Sequence, residues 1–199
     1  MSTTNPTHGQ TEAANERREA FMANISPALL EAEDKLPSGI RRMNASARSK
    51  LQKVYAIADE LSAVRAPHVA CKEGCASCCK MNVMITTAEA VRIGRAIGRG
   101  PRPIRQSIKR PVAHFAGLPC PFLDEREECS IYADRPLSCR THASFFEDAS
   151  TCAVDVMYDH SMPLVTFGGL TEGLFSASDD QGLPVLADIR DFFPGGANT

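Results

Sequence analysis

Four of the chain's eight cysteines fall within ten residues, "CKEGCASCCK", at Cys71, Cys75, Cys78 and Cys79. Thiolate sulfur is a soft donor that selects zinc, copper(I) and iron–sulfur chemistry over magnesium or calcium. Cysteines two or three residues apart on a turn can converge on one ion, and Gly74 permits a positive φ just before Cys75. Cys71-x3-Cys75-x2-Cys78 therefore reads as three legs of one site. Adjacent side chains diverge in most backbone conformations, so Cys78 and Cys79 are poorly placed to bind the same ion terminally. Either Cys79 belongs to a second site or one sulfur bridges two metals. Cys120, Cys129, Cys139 and Cys152 supply four more thiols, enough for two four-ligand centres, whether tetrahedral zincs or sites of mixed type. His68, three residues before Cys71, and His142, three after Cys139, could each replace a cysteine.

The environment of these thiols decides between metal and disulfide. The opening "MSTTNPTHGQTEAANERREA" has no apolar signal-peptide core, and no run of about twenty apolar residues follows it. A cytoplasmic chain without a membrane span is expected, and a reducing cytosol makes metal ions the default partner of clustered cysteines. With 22 basic and 24 acidic residues and no solidly basic run, charge does not suggest nucleic acid or an anionic membrane as a partner. Four thiolates on a dipositive ion leave two excess negative charges, which need nearby donors and cations. Lys72, Lys80, Arg135 and Arg140 lie close in sequence to the candidate ligands, with surface salt bridging as the plainer role for the two arginines. No Ser-His-Asp, paired-carboxylate or phosphate-loop arrangement is visible, so any reaction would run through the metal or its thiolates.

The elements that must position the thiols read as mainly α with a few short strands, a small metal-stabilised single domain around a cysteine cluster. Residues 1–24 lack apolar periodicity and read as a disordered N-terminal arm, leaving 25–199 as the domain and 71–152 as its metal-binding core. Ser26-Pro27 starts a helix that "LPSG" interrupts at Pro37 and Gly39. Leu51, Val54, Tyr55, Ala58, Leu61 and Val64 form the stripe of a longer helix ended by Pro67. "MNVMI" suggests a strand, and Thr86 with Glu89 a capping box for a helix through Val91, Ile93 and Ile97 that Gly98 ends. "GRGPRPIRQSIKRP" is a basic connector able to hold a broken helix, and "DEREE" sits like a turn between Phe122-Leu123 and Ile131-Tyr132. "PLVTF" suggests a strand, Gly168 and Gly169 a loop, and Val185, Leu186, Ile189, Phe192 and Phe193 one face of a last helix stopped by "PGG".

In order along the chain, "CKEGCASCC", "PCPFL" and "CSIYADRPLSCR", followed by Cys152, resemble the YkgJ-type cysteine-cluster family, the CxxCxxCC group described as chelating zinc or iron. The likeness covers roughly residues 71–152, and three residues, "KEG", stand between the first two cysteines where the family's short form has two. The resemblance implies bound zinc or iron, with Cys71, Cys75, Cys78, Cys79, Cys120, Cys129 and Cys139 at motif positions. Some relatives are labelled flagellin lysine N-methylases, which implies S-adenosylmethionine and a redox-active iron–sulfur centre. The sequence has no glycine-rich Rossmann loop for an ordinary methyltransferase.

The three-cysteine spacing also matches the loop by which radical S-adenosylmethionine enzymes hold a four-iron cluster, but the chain after it is too short for their barrel. Three functions follow. The first is a metal-binding protein whose zinc or iron, as two sites or an iron–sulfur cluster, holds the fold. The second is an iron-dependent redox or protein-lysine N-methylating enzyme, and the third a metal store or carrier. The spacing alone leaves open how the eight cysteines divide between sites and names no protein partner.

Overall fold

The computed structural model describes residues 5–72, 74–179 and 183–195. Seven helices and two short strands are present among them: α1 (His8–Asn24), α2 (Pro27–Arg42), α3 (Ala47–Arg65), β1 (Met84–Thr86), α4 (Thr87–Ala96), α5 (Leu137–Thr141), α6 (Gly168–Ser178), β2 (Leu186–Asp188) and α7 (Ile189–Phe192). The mainly helical expectation for a single small domain is met.

The expected unfolded arm is in fact α1, apart from residues 1–4, which lie outside the described residues. A Thr7–Gln10 capping box starts it, and it buries only Ala14 and Phe21, seven residues and two turns apart. One large aromatic suffices as anchor, since Phe21 meets the rings of Phe145 and Phe167 at 5.8 and 6.2 Å. So narrow an apolar stripe leaves almost no periodic signal in the sequence.

Pro37 does not interrupt α2, which continues to Arg42. A proline inside a helix removes the bond to the carbonyl four residues earlier, here that of Glu33. α6 packs at this point: a Cβ on Gly169 would lie 2.1 Å from the Glu33 carbonyl oxygen, and one on Gly173 would lie 3.0 Å from Leu36. The Glu33 carboxylate in turn accepts the Leu170 N–H at 2.8 Å, capping a helix whose own N-cap, Phe167, has no polar side chain. The glycines expected to form a loop thus begin a helix and allow its close approach to α2.

Helices α1, α2, α3, α5 and α6 surround one apolar core that includes Phe21, Leu36, Ile40, Leu51, Val54 and Phe145. A second core gathers Ile85, Ile93, Phe122, Ile131, Ile189 and Phe193, with Cys120, Cys129 and Cys139 packed against it. β1 and β2 pair antiparallel within this second core, Met84 opposite Asp188 and Ile85 opposite Ala187. Leu186–Asp188 is therefore extended where a helix is expected, because β1 offers it a ladder, and only Ile189–Phe192 is helical after the Asp188 cap. Gly196 of "PGG" lies outside the described residues. The connector at 98–111 forms no helix, and "PLVTF" forms no strand.

Glu89 joins the two cores. It is 1% exposed, and its carboxylate accepts Tyr55 Oη at 3.0 Å from α3, the Leu137 N–H at 2.8 Å from α5, and the Thr86 N–H and hydroxyl of its own capping box. Burial pushes its pKa up, against the pull of these donors.

Candidate metal centre

The first cysteine segment leaves α3 through a 3₁₀ turn at Ala66–His68. Gly74 has φ +86°, a conformation that lets Cys75 N–H turn back to the Lys72 carbonyl at 3.0 Å. A second 3₁₀ turn, Ser77–Lys80, carries Cys78 and Cys79. Neighbouring segments are stitched to these turns through backbone bonds. Cys120 N–H donates to the Cys79 carbonyl at 2.7 Å, and Cys71 Sγ accepts the Ser144 N–H at 3.3 Å. Leu123 and Cys129 form an isolated antiparallel bridge around the "DEREE" turn, in line with the expected hairpin. Asp124 closes that turn by accepting the Arg126 and Glu128 N–H groups, and Glu127 adopts φ +59°. Cys139 sits in the short α5, whose first N–H is held by Glu89.

All eight cysteines are free thiols, Cys152 buried and the others half-buried. Cys71, Cys75, Cys78, Cys79, Cys129 and Cys139 wall one pocket of about 90 Å³ together with His142. Cys120 opens instead onto a neighbouring apolar cavity of about 590 Å³. Mutual electrostatics sort the thiols. Burial pushes Cys120 up to about 12, and the charges of Cys79 and Cys129 push the same way. Burial likewise raises Cys139 and Cys129, each with a contribution from Cys79. On the other side, burial raises Cys71 and Cys152; Cys75 adds to both, and Cys71 to Cys152. Cys78 stands between the two groups. It donates a hydrogen bond to Cys79, which raises Cys78 and brings Cys79 down to about 7, helped by Arg190, Lys80 and Arg135.

Among the described residues, no three Cys, His, Asp or Glu side chains stand close enough together to hold an ion as they are. The donor chemistry nonetheless fits zinc or iron. The thiols are soft, and each thiolate makes its neighbours harder to deprotonate, a cost that a bound dication relieves.

The cations at the site differ from those close in sequence. Arg140 faces away from the thiols: its guanidinium donates to Asp59 and to the carbonyls of Arg135 and Ala133, above the Tyr55 ring. Arg135 and Lys72 line the pocket, Arg135 lying 4.1 Å above the Tyr132 ring. Lys80 pairs with Glu127. The residue that sequence reasoning missed is Arg190, more than a hundred positions downstream of Cys79. It donates to the carbonyls of Cys79 (3.0 Å), Met81 (3.0 Å), Leu118 (2.6 Å) and Pro119 (3.2 Å), and to Asp188 at 3.1 Å. It therefore clamps the Cys79 turn to the loop before Cys120. No local motif marks it, because its function depends on the β1–β2 pairing that returns the chain to this point.

Of the two histidines considered, His142 lines the pocket, its pKa lowered by burial and by the Arg65 charge. His68 is instead at the α1 contact, with Nε2 3.1 Å from Asn24 Nδ2. Among the described residues, no helix is long and apolar enough to cross a membrane.

Comparison with curated proteins and with solved structures finds no match. A family model does match, over residues 70–155, and its description reads "CxxCxxCC: Putative zinc- or iron-chelating domain". The cysteine-bearing segments that meet around this pocket all lie within the stretch, residues 70 to 155, over which the chain is similar to that family model.

Proposed function

We propose that this protein chelates zinc or iron with its eight cysteines divided into two sets. Cys79, Cys120, Cys129 and Cys139 form one set, and Cys71, Cys75, Cys78 and Cys152 the other. The observation that carries this reading is the convergence of cysteines from separate stretches of chain on one pocket, with Cys79 influencing one group and Cys75 the other. His142 is the alternative ligand, since it shares the pocket wall. Lys80, Arg135 and Arg190 offset the thiolate charge, as their pull on Cys79 indicates. Zinc bound there would hold irregular loops closed, and iron would add redox capacity. The reducing cytoplasm is the compartment in which such thiols remain available.

The half-buried state of most of these thiols favours a second reading, a metal store or carrier, because a partner thiol can reach ligands that line an open pocket. The test is metal stoichiometry in single variants. Cys79→Ser is expected to lose about one ion per chain and to keep the other, and Cys71→Ser to show the reverse loss. Total loss in both variants would replace two sets with one shared cluster. Rapid transfer of metal to a chelator without unfolding would favour the carrier.

A further inference from the structure

Where the first turn of α3 meets the last turn of α4, a concave pocket of about 260 Å³ is lined by Arg48, Arg92, Arg95, Ala96 and Asp134. Three guanidinium groups thus face one carboxylate, a local excess of positive charge in a chain whose net charge is −2. The Ser46 cap fixes Arg48 in the first turn of α3, where unpaired backbone N–H groups add positive potential. Arg92 and Arg95 are three residues apart and share one face of α4.

Arg92 is incompletely satisfied by the protein. Asp134 pairs with Arg92 at 2.9 Å, while Arg92 Nε has neither solvent contact nor a hydrogen-bond partner among the described residues. Arg48 and Arg95 are exposed and have no hydrogen bond or ion pair among the described residues, so their guanidinium groups exchange only water for a ligand. Tyr55 supports the Arg92 guanidinium, whose carbon lies 5.0 Å from the ring centre, so that this group is held in place before any ligand arrives. Gathering three like charges costs stability unless an anion offsets them, and forked guanidinium donors match the tetrahedral oxygens of phosphate. The lining offers one methyl group and no aromatic surface, which suits a small anion better than a nucleotide. None of its residues lines the thiol pocket, so the inference is independent of the metal reading.

We infer that this pocket is a binding site for a phosphate-type dianion, either free inorganic phosphate or the phosphoryl group of a small phosphomonoester. The test is calorimetric titration of the purified, metal-loaded full chain with inorganic phosphate and, separately, with glycerol phosphate, at constant ionic strength. Saturable one-to-one binding is expected. Arg48→Gln and Arg95→Gln should each weaken it about tenfold, the loss of one charge-assisted contact. Asp134→Asn should strengthen it several-fold by releasing Arg92 from its competitor. Arg105→Gln, outside the pocket, should change nothing. Tighter binding of the ester would assign a phosphomonoester, and equal or tighter binding of phosphate the free ion. No saturation up to about 10 mM of either probe, or equal weakening by Arg95→Gln and Arg105→Gln, would overturn the site.

Discussion

Replacing Arg190 tests whether the thiol loops are held by a remote clamp. Its guanidinium makes five hydrogen bonds to Cys79, Met81, Leu118, Pro119 and Asp188. The two to Leu118 and Pro119 are exposed, so water can replace them at little cost. The other three are partly buried, and at about 1.5 kcal/mol for each bond from a charged donor, Arg190→Ala should cost roughly 4 kcal/mol. In a chain of 199 residues that lowers the melting temperature by roughly 8–16 °C. Arg190→Lys keeps the charge beside Cys79 but offers a single nitrogen, which cannot span four carbonyls, so it should lose nearly as much. The assay is a thermal melt of each metal-loaded variant alongside metal retention against a chelator, and retention should fall in both. Wild-type stability in Arg190→Lys would show that charge rather than the forked geometry matters. A loss under about 1 kcal/mol in Arg190→Ala would refute the clamp.

Gly169→Ala places a methyl group 2.1 Å from the Glu33 carbonyl oxygen and should cost about 1–3 kcal/mol or more by denaturant titration, whereas Gly168→Ala, whose Cβ meets nothing within 4 Å, should be neutral or mildly stabilising. Equal stability of the two variants would contradict the α2–α6 contact. Glu89→Gln must turn an amide NH₂ towards buried donors on one side of the junction and should cost about 1–3 kcal/mol; an unchanged urea midpoint would rule out the carboxylate as the link between cores. His142 has a lowered pKa, so the unfolded chain binds more protons than the folded one below the ordinary histidine pKa, and stability falls as pH drops through about 6.5. At pH 5.5 this loss is at most about 1.4 kcal/mol and should be absent in His142→Gln at equal metal content. The same pH slope in both proteins would mean that His142 is not the group responsible.

What the sequence revealed depended on the range of the interactions involved. Ser26-Pro27, the Thr86–Glu89 box and the stripe from Leu51 to Leu61 are local signals, and each produces its helix. The α1 helix was illegible because Ala14 and Phe21 alone bury against segments far along the chain. Pro37 misled because its helix-breaking effect is offset by α6, and Gly168-Gly169 because the need for close packing is invisible without the partner helix. At the site, the cysteine spacing located the stretch that the family model matches. Arg190 and Ser144 were missed, since each contacts a cysteine segment only after the chain has returned to it.

Elemental analysis of protein purified without oxygen, with zinc, iron and acid-labile sulfide measured per chain, tests the central claim most directly. Two four-thiol sets predict about two metal ions per chain, whether zinc or iron, with Cys79→Ser retaining about one. Zinc and iron both at trace level, in protein whose eight thiols remain reduced, would contradict chelation by this cluster.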